Sequence, residues 1–408
     1  MEKASEITMG RRWLMFATIF IVGVLAAFCQ FKAPVLFATE FTSELGFTDA
    51  NIGWVMSVFS LIGVVLAFPA GGILAKLGAK KSLMITAIAL AIGAGAGALV
   101  NNATMMLATR FIEGIGMGLI SVVGPAAVAE VIPQRKQGLA MGIWSVWFPA
   151  GVVVAFNVIP FIYATAGTWR AAWWFVCIVA IIALVLVAVI YVETKQEAPA
   201  AAPAAEGEAA PAAAPAALKP DMFSVILIAV VFCAWNIFNA GAIGGFYPAY
   251  LADVHHMDTQ LAGSVASITN ILVLALGPIS GIVADKFNLH KSLMVFAMIG
   301  AAVMLTFAFG SNLTLTYVFV SVFSVFSACC PTGVFSSVPL YARDPAKIGF
   351  CMAIVAFLQN LGGVIGSAAF GPLAASLGWN SASLFFCVPV AVVGLVCAVL
   401  IRPLVKKD

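Results

Sequence analysis

Charge is what this sequence has least of. Only 9% of its 408 residues are Asp, Glu, Lys or Arg, where a soluble domain carries about 25%. Three histidines are present, and none lies inside an apolar run. The eight cysteines (Cys29, Cys177, Cys233, Cys329, Cys330, Cys351, Cys387 and Cys397) all fall within such runs without metal-ligand spacing. Neither a disulfide framework nor a zinc site is read from them. No nucleophile is paired with a base, and no glycine loop suits phosphate. The basic connections lack interleaved aromatics, which excludes nucleic acid. Arg11 and Arg12 precede an apolar run reaching about Phe37. That is too long for a leader and shows no small-residue cleavage site, so a membrane helix is expected. No cofactor and no enzyme chemistry are expected.

What is abundant is apolar length. The chain is 63% hydrophobic, with a mean hydropathy of +1.10. Twelve segments read as membrane helices: 13–37, 51–73, 82–101, 104–130, 137–162, 170–192, 222–251, 260–285, 290–310, 313–341, 347–375 and 380–401. The expected fold class is an all-α membrane protein of twelve transmembrane helices. An even count puts both termini on one side. Lys3, Arg11, Arg12, Lys76, Lys80, Lys81, Arg135, Lys136, Lys195, Lys219, Lys286, Lys291, Arg343, Lys347, Arg402, Lys406 and Lys407 fall at the termini or in even-numbered connections. The opposite side holds Arg170 with Glu40, Glu44, Asp49, Asp253 and Asp258. The positive-inside rule therefore places both termini in the cytoplasm, with the protein in the cell membrane.

Residues 193–221 are rich in Ala and Pro and read as a cytosolic linker. It joins a six-helix half at 1–192 to another at 222–408. The halves are related: Lys81-Ser82-Leu83-Met84 recurs as Lys291-Ser292-Leu293-Met294, an offset of 210 residues. At that offset Gly71 matches Gly281, Lys76 matches Lys286 and Ser57 matches Ser267. Gly138-Leu139-Ala140-Met141 matches Gly349-Phe350-Cys351-Met352 one residue further on. Two six-helix repeats joined by a linker are the layout of a transporter with its site between the halves.

These residues resemble the major facilitator superfamily over nearly the whole chain. The family's loop pattern between helices 2 and 3 is Gly-x-x-x-Asp-Arg/Lys-x-Gly-Arg-Arg. It is matched by Gly71, Lys76, Gly78 and Lys80, with Ala75 where the family has aspartate. The second copy keeps Gly281, Asp285 and Lys286. The resemblance implies that these loops latch the halves on the cytoplasmic side in one state. Ala75 shifts weight to Asp285. The helix-4 pattern Arg-x-x-x-Gly-x-Gly matches Arg110, Gly114 and Gly116. Within the superfamily, Glu113-Gly114-Ile115-Gly116, Met141-Gly142-Ile143-Trp144 and Thr168-Trp169-Arg170 look most like the cyanate-permease-like group. Nitrate porters use arginines in helices 2 and 8, which have none here. Oxalate:formate exchangers use basic residues in the second half, where these helices carry none.

Lys32, Arg110 and Glu113 are the charges left within membrane segments. An arginine at mid-helix costs about 2.5–3.5 kcal/mol to insert and usually faces a bundle interior or a wet cavity. Glu113 follows Arg110 at i+3, on the same helical face. The resemblance places Lys32 and Arg110 on one wall of the central cavity. Two cations against one acid suit an anionic small molecule, a carboxylate by choice. Other readings stand: Lys32 snorkelling to the interface, and Arg110 serving only as Glu113's partner. Glu113 is the candidate carrier of a coupled proton.

Asn236 and Asn239 precede a Gly241, Gly244, Gly245 and Pro248 series, so span 7 is expected to bend or unwind. Trp144 and Trp147 share a face and suit either a substrate body or helix packing. Tyr247, Gln359 and Asn360 complete the candidate site. Trp13, Trp54, Trp169 and Trp379 read as interface anchors. The expected function is secondary transport of an organic anion by a monomer in the lipid bilayer, with a proton or another ion coupled. Drug or metabolite efflux is the second reading, and a transport-fold sensor the reading from another class.

Overall fold

The computed structural model describes residues 7–32, 38–48, 51–133, 136, 140, 143–193, 220–343 and 345–403. The linker over 194–219, the Asp285 side chain, the repeat residues Gly138, Leu139 and Met141, and Lys3, Arg135, Lys406 and Lys407 lie outside the described residues.

Among the described residues the first half includes α1 (Met9–Phe31), α2 (Ala38–Leu45), α3 (Trp54–Leu66), α4 (Pro69–Gly97), α5 (Ala103–Val131), α6 (Trp147–Ala166) and α7 (Trp169–Ile190). The second half opens with α8 (Met222–Asn236), a π-helical stretch over Ile237–Ile243, and α9 (Gly244–His255). It continues with α10 (Thr259–Phe287), α11 (His290–Met304), α12 (Leu313–Ala342) and α13 (Pro345–Leu377). It ends with α14 (Trp379–Ala382), a second π-helical stretch over Ser383–Cys387, and α15 (Val388–Leu400). With α8–α9 and α14–α15 each taken as continuous, ten described helices are long and apolar enough to cross a membrane. The shorter apolar helices Trp54–Leu66 and His290–Met304 complete the twelve spans.

Local chemistry sets the ends. Asn102, Thr168, Asp221, Asp258 and Asn312 each cap a helix start with a side-chain oxygen. Gly78 (φ 78°, ψ 170°) breaks α4 where spans 2 and 3 meet, a conformation that favours glycine. The irregularity expected in span 7 is the π-helical stretch beside Asn236. Two features were not foreseen: the π-helical stretch in span 12, and α2. Phe41 of α2 packs edge-on against Trp169 and Trp173. Trp169 is therefore buried, at 1% exposure, rather than an interface anchor.

Helix ends alternate, so Glu40, Glu44, Asp253 and Asp258 share an acidic end, and Lys76, Lys80, Lys286 and Lys291 a basic end. Each half is tied at both. At the acidic end Trp169 Nε1 donates to Glu44 at 3.0 Å and Trp379 Nε1 to Asp253 at 2.7 Å. At the basic end Lys80 donates to the Ala188 carbonyl at 2.8 Å and Lys291 to the Val399 carbonyl at 2.7 Å, spanning 108 residues in both cases.

The halves meet along two seams, α3 against α13 and α6 against α10. No comparable packing joins α1 or α5 to α8 or α12 among the described residues. The seams are built alike. A Cβ on Gly53 would stand 3.2 Å from the Ser367 carbonyl carbon and overlap its oxygen. One on Gly263 would do the same to Phe156. Four residues on, Ser57 Oγ meets Ser367 Oγ at 2.8 Å, and Ser267 Oγ accepts from Asn157 Nδ2 at 3.0 Å. Small residues four apart let backbones approach closely. At the basic end a Cβ on Gly71 or Gly281 would meet nothing within 4 Å.

Candidate functional site

Arg110 lies seven residues into α5 from the acidic end, roughly 10 Å along at about 1.5 Å per residue. Glu113 is one turn deeper. Lys32, the C-cap residue of α1, reaches the same point. All three side chains have 0% exposure. Lys32 Nζ donates to Glu113 Oε1, and Arg110 Nη1 to Oε2. One carboxylate therefore takes both cations.

Arg110 spends its other donors on main chain. Nε donates to the Val55 carbonyl at 3.1 Å, Nη1 also to Cys29 at 2.8 Å, and Nη2 to Gln30 at 3.0 Å. The sequence explains one of these. Pro34 follows Gln30 at i+4 and has no N–H to give. The Gln30 carbonyl thus lacks a helical partner, and the guanidinium supplies one. Cations also suit the partial negative charge at the carboxyl end of α1. Flat faces complete the enclosure: Arg110 lies 4.5 Å from the Phe59 ring centroid and Lys32 Nζ 4.9 Å from that of Trp173.

Glycines make the room. A Cβ on Gly93 would overlap Glu113 Cγ and stand 2.9 Å from the Glu113 nitrogen and the Thr109 oxygen. One on Gly97 would press on Trp173, and one on Gly114 would lie 2.7 Å from the Phe59 oxygen. The cluster is thus enclosed by α1, α3, α4, α5 and α7 of the first half. With no exposed surface on any of the three side chains, it does not line an open wall between the halves in this conformation. Nor does Lys32 turn toward the interface.

The second half fills the matching place with rings. Val320 matches Arg110 and is buried, its carbonyl accepting from Thr269 Oγ1 at 2.7 Å. Phe323 matches Glu113 and stacks on Trp235 at 5.6 Å and on Phe319 at 4.9 Å. Tyr247 sits among Tyr250, Phe309 and Phe319, away from any charge pair, and its buried hydroxyl has no partner among the described residues.

Trp144 and Trp147 stack at 5.5 Å. Trp144 is wedged between Gly23 and Gly124, where a Cβ would collide with its ring. Asn236 and Asn360 donate their amide N–H to the carbonyls of Phe232 and Ala356, both at 2.8 Å. Asn236 packs on Gly362, and Asn360 on Gly63 across the α3–α13 seam. Asn239 and Gln359 are half-buried. Lys76 and Lys286 are exposed, and Lys80 is tied to its own half.

Sequence reasoning found the three charges and missed their frame. Trp173, Phe59, Gly93 and Gly97 were not assigned to the site. Gly93 and Gly97 are a small pair four apart, a signal that was available. The carbonyls of Cys29 and Val55 left none.

The Major Facilitator Superfamily profile matches residues 19–257 and 236–408. A hexuronate transporter of Bacillus subtilis is 24% identical over 405 residues, covering 95% of this chain and 94% of that protein. A probable nitrate transporter of Staphylococcus aureus, NarT, is 26% identical over 368 residues, covering 90% and 89%. The crystal structure of a D-xylose–proton symporter superposes with a TM-score of 0.74 at 17% identity, covering 97% of this chain and 98% of that one, a likeness of fold. With its twelve apolar spans and repeated halves, this is a multi-pass membrane protein and a secondary transporter of a small solute, not an enzyme, and it belongs to the Major Facilitator Superfamily.

Proposed function

We propose that the solute is a small organic anion, a carboxylate, moved together with a proton by alternating access. The basic end and both termini face the cytoplasm of the cell that carries the protein, which works as a monomer. The observation that carries this reading is the surplus cation in the buried cluster, Lys32 and Arg110 against Glu113 alone. At an effective dielectric of about 20, a unit charge acts on a carboxylate roughly 8 Å away with about 2 kcal/mol. The two relatives of nearly full length that are named for hexuronate and for nitrate, both anions, support it.

The solute binds in the space between α1 and α5 on one side and α8 and α12 on the other. Asn239 and Gln359 are assigned to that space: both are half-buried, without a side-chain partner among the described residues. An amide facing hydrocarbon would cost several kcal/mol, so these two face water. The Trp144–Trp147 stack offers an apolar face, and the amide oxygen of Asn236 remains for a donor group on the solute, with Asn360 at the edge of the site where its amide packs on Gly63. Tyr247 answers from the second half with a hydroxyl that has no partner among the described residues. The loops carrying Gly71, Lys76, Gly78 and Lys80, and Gly281, Asp285 and Lys286, join the halves when the acidic end opens. The buried cluster of Lys32, Arg110 and Glu113 is the centre through which the proton passes.

Thermal unfolding of the purified protein with glucuronate, lactate, succinate, nitrate, galactose and a cationic dye tests the class of solute. A ligand at about 100 times its Kd stabilises by about 2.7 kcal/mol. Stabilisation by a carboxylate and not by galactose is expected. A response to the cationic dye alone refutes the anion.

A further inference from the structure

The cluster contains three formal charges and cannot be neutral with all of them present. Lys32, Arg110 and Glu113 sum to one positive charge, on side chains with no exposed surface. A guanidinium does not give up its proton in a protein. Protonating Glu113 would raise the buried charge to two. The one proton whose departure brings the cluster to neutrality is on the Lys32 ammonium.

The surroundings agree with that choice. Arg110 holds its charge with four donated bonds, three of them to backbone carbonyls, and a ring beneath it. Lys32 has the Glu113 carboxylate and the Trp173 face. Among the described residues, the other titratable side chains near Lys32 are the thiols of Cys29 on its own helix and Cys177 on α7. The residues packed on the cluster from α3 and α4 are Val55, Phe59, Gly93 and Gly97, none of which titrates. Residues 33–37 read Ala-Pro-Val-Leu-Phe and add no titratable side chain.

We infer that Lys32, and not Glu113, carries the coupled proton, and that its two forms balance the two limbs of the transport cycle. The inference rests on the organic-anion and proton reading above. In the loaded limb the ammonium leaves the cluster at plus one, and a monoanionic solute brings the moving unit to zero. In the empty limb Lys32 has passed its proton to water as H⁺, leaving a neutral amine, and Arg110 balances Glu113. Neither limb carries net charge through the closed state. One monoanion then crosses with one proton, and the cycle is electroneutral.

The test compares wild type, Lys32→Arg, Lys32→Met and Glu113→Gln in proteoliposomes, with radiolabelled glucuronate as probe. Net uptake driven by a pH gradient is measured beside counterflow exchange at equal pH. Arginine keeps the loaded limb charged but cannot lose its proton. Lys32→Arg is therefore expected to retain at least a third of wild-type exchange while net uptake falls at least twentyfold. Lys32→Met lacks the ammonium and is expected to lose both. Wild-type uptake is expected to ignore a valinomycin-set potential. Gradient-driven uptake by Lys32→Arg above half the wild-type rate overturns the assignment. So does a Glu113→Gln protein that exchanges normally and has lost only its response to pH. Wild type that takes up glucuronate with no response to a pH gradient overturns the underlying coupling instead, and that result is read before any variant.

Discussion

Replacing Gly53 with alanine should open the acidic end. The added methyl would overlap the Ser367 carbonyl oxygen, a backbone atom that cannot swing aside. The α3–α13 seam must then part, or α3 must shift. Overpacking of this kind costs about 1–3 kcal/mol. Parting the seam also breaks the 2.8 Å Ser57–Ser367 hydrogen bond, worth about 1 kcal/mol. The closed state therefore loses about 2–4 kcal/mol. At about 1.4 kcal/mol per factor of ten, the closed-to-open ratio falls roughly 30- to 700-fold. Gly263→Ala should match it, because the Phe156 carbonyl stands against Gly263 in the same way. Spin labels on Ser43→Cys and Ala252→Cys, one exposed position per half at that end, read the change by electron–electron distance measurement. A longer distance is expected in both variants. Gly10→Ala, where the methyl meets nothing within 4 Å, should leave the distribution unchanged. Unmoved distributions in the Gly53 and Gly263 variants would refute the reasoning, as would an equal shift from Gly10→Ala.

Three further outcomes are expected. Glu113→Gln leaves two buried cations without their acid, so detergent-induced unfolding should show a loss of about 3–5 kcal/mol; an unchanged midpoint would mean the cations find other partners. Gly78→Ala forces a side chain into a left-handed conformation against the Glu193 carboxylate, and thermal unfolding should report about 1–3 kcal/mol. Trp169→Phe and Trp379→Phe each remove one indole hydrogen bond to an acid. They should cost about 1 kcal/mol apiece and add in the double variant; strong non-additivity would show that the two ties are coupled.

The charge census was the most readable part of the sequence, for a physical reason. A charge kept within an apolar run must find a partner inside the protein. Three such charges in twelve spans were therefore expected to matter, and they meet. That both cations would share one carboxylate could not be read, because i, i+3 spacing relates Arg110 to Glu113 and says nothing of Lys32. Main-chain acceptors were invisible for a simpler reason: every residue has a carbonyl. Only Pro34 hinted that the Gln30 carbonyl would need a donor from outside its helix. Span 7 announced its irregularity through Gly and Pro, whereas Ser383–Cys387 contains neither. α2 falls between the expected spans 13–37 and 51–73: its eight residues are too short to cross a membrane and carry two acids, yet Phe41 and Leu45 are buried. The matched offsets of Ser57 and Ser267 were visible as a repeat. That each would clasp a seam depended on which helix faced it.

The ties that recur in both halves have a mechanical consequence. Lys80 and Lys291 stitch the third span of each half to its sixth at the basic end. The two tryptophans brace the same halves at the acidic end. Each half is thereby stiffened like a plate held at both edges, and compliance is left to the seams. Two seams of like construction, one on either side of the centre, resist parting about equally. One half can then tilt on the other about the line between them without either having to bend, and whatever opens one end shuts the other in the same stroke.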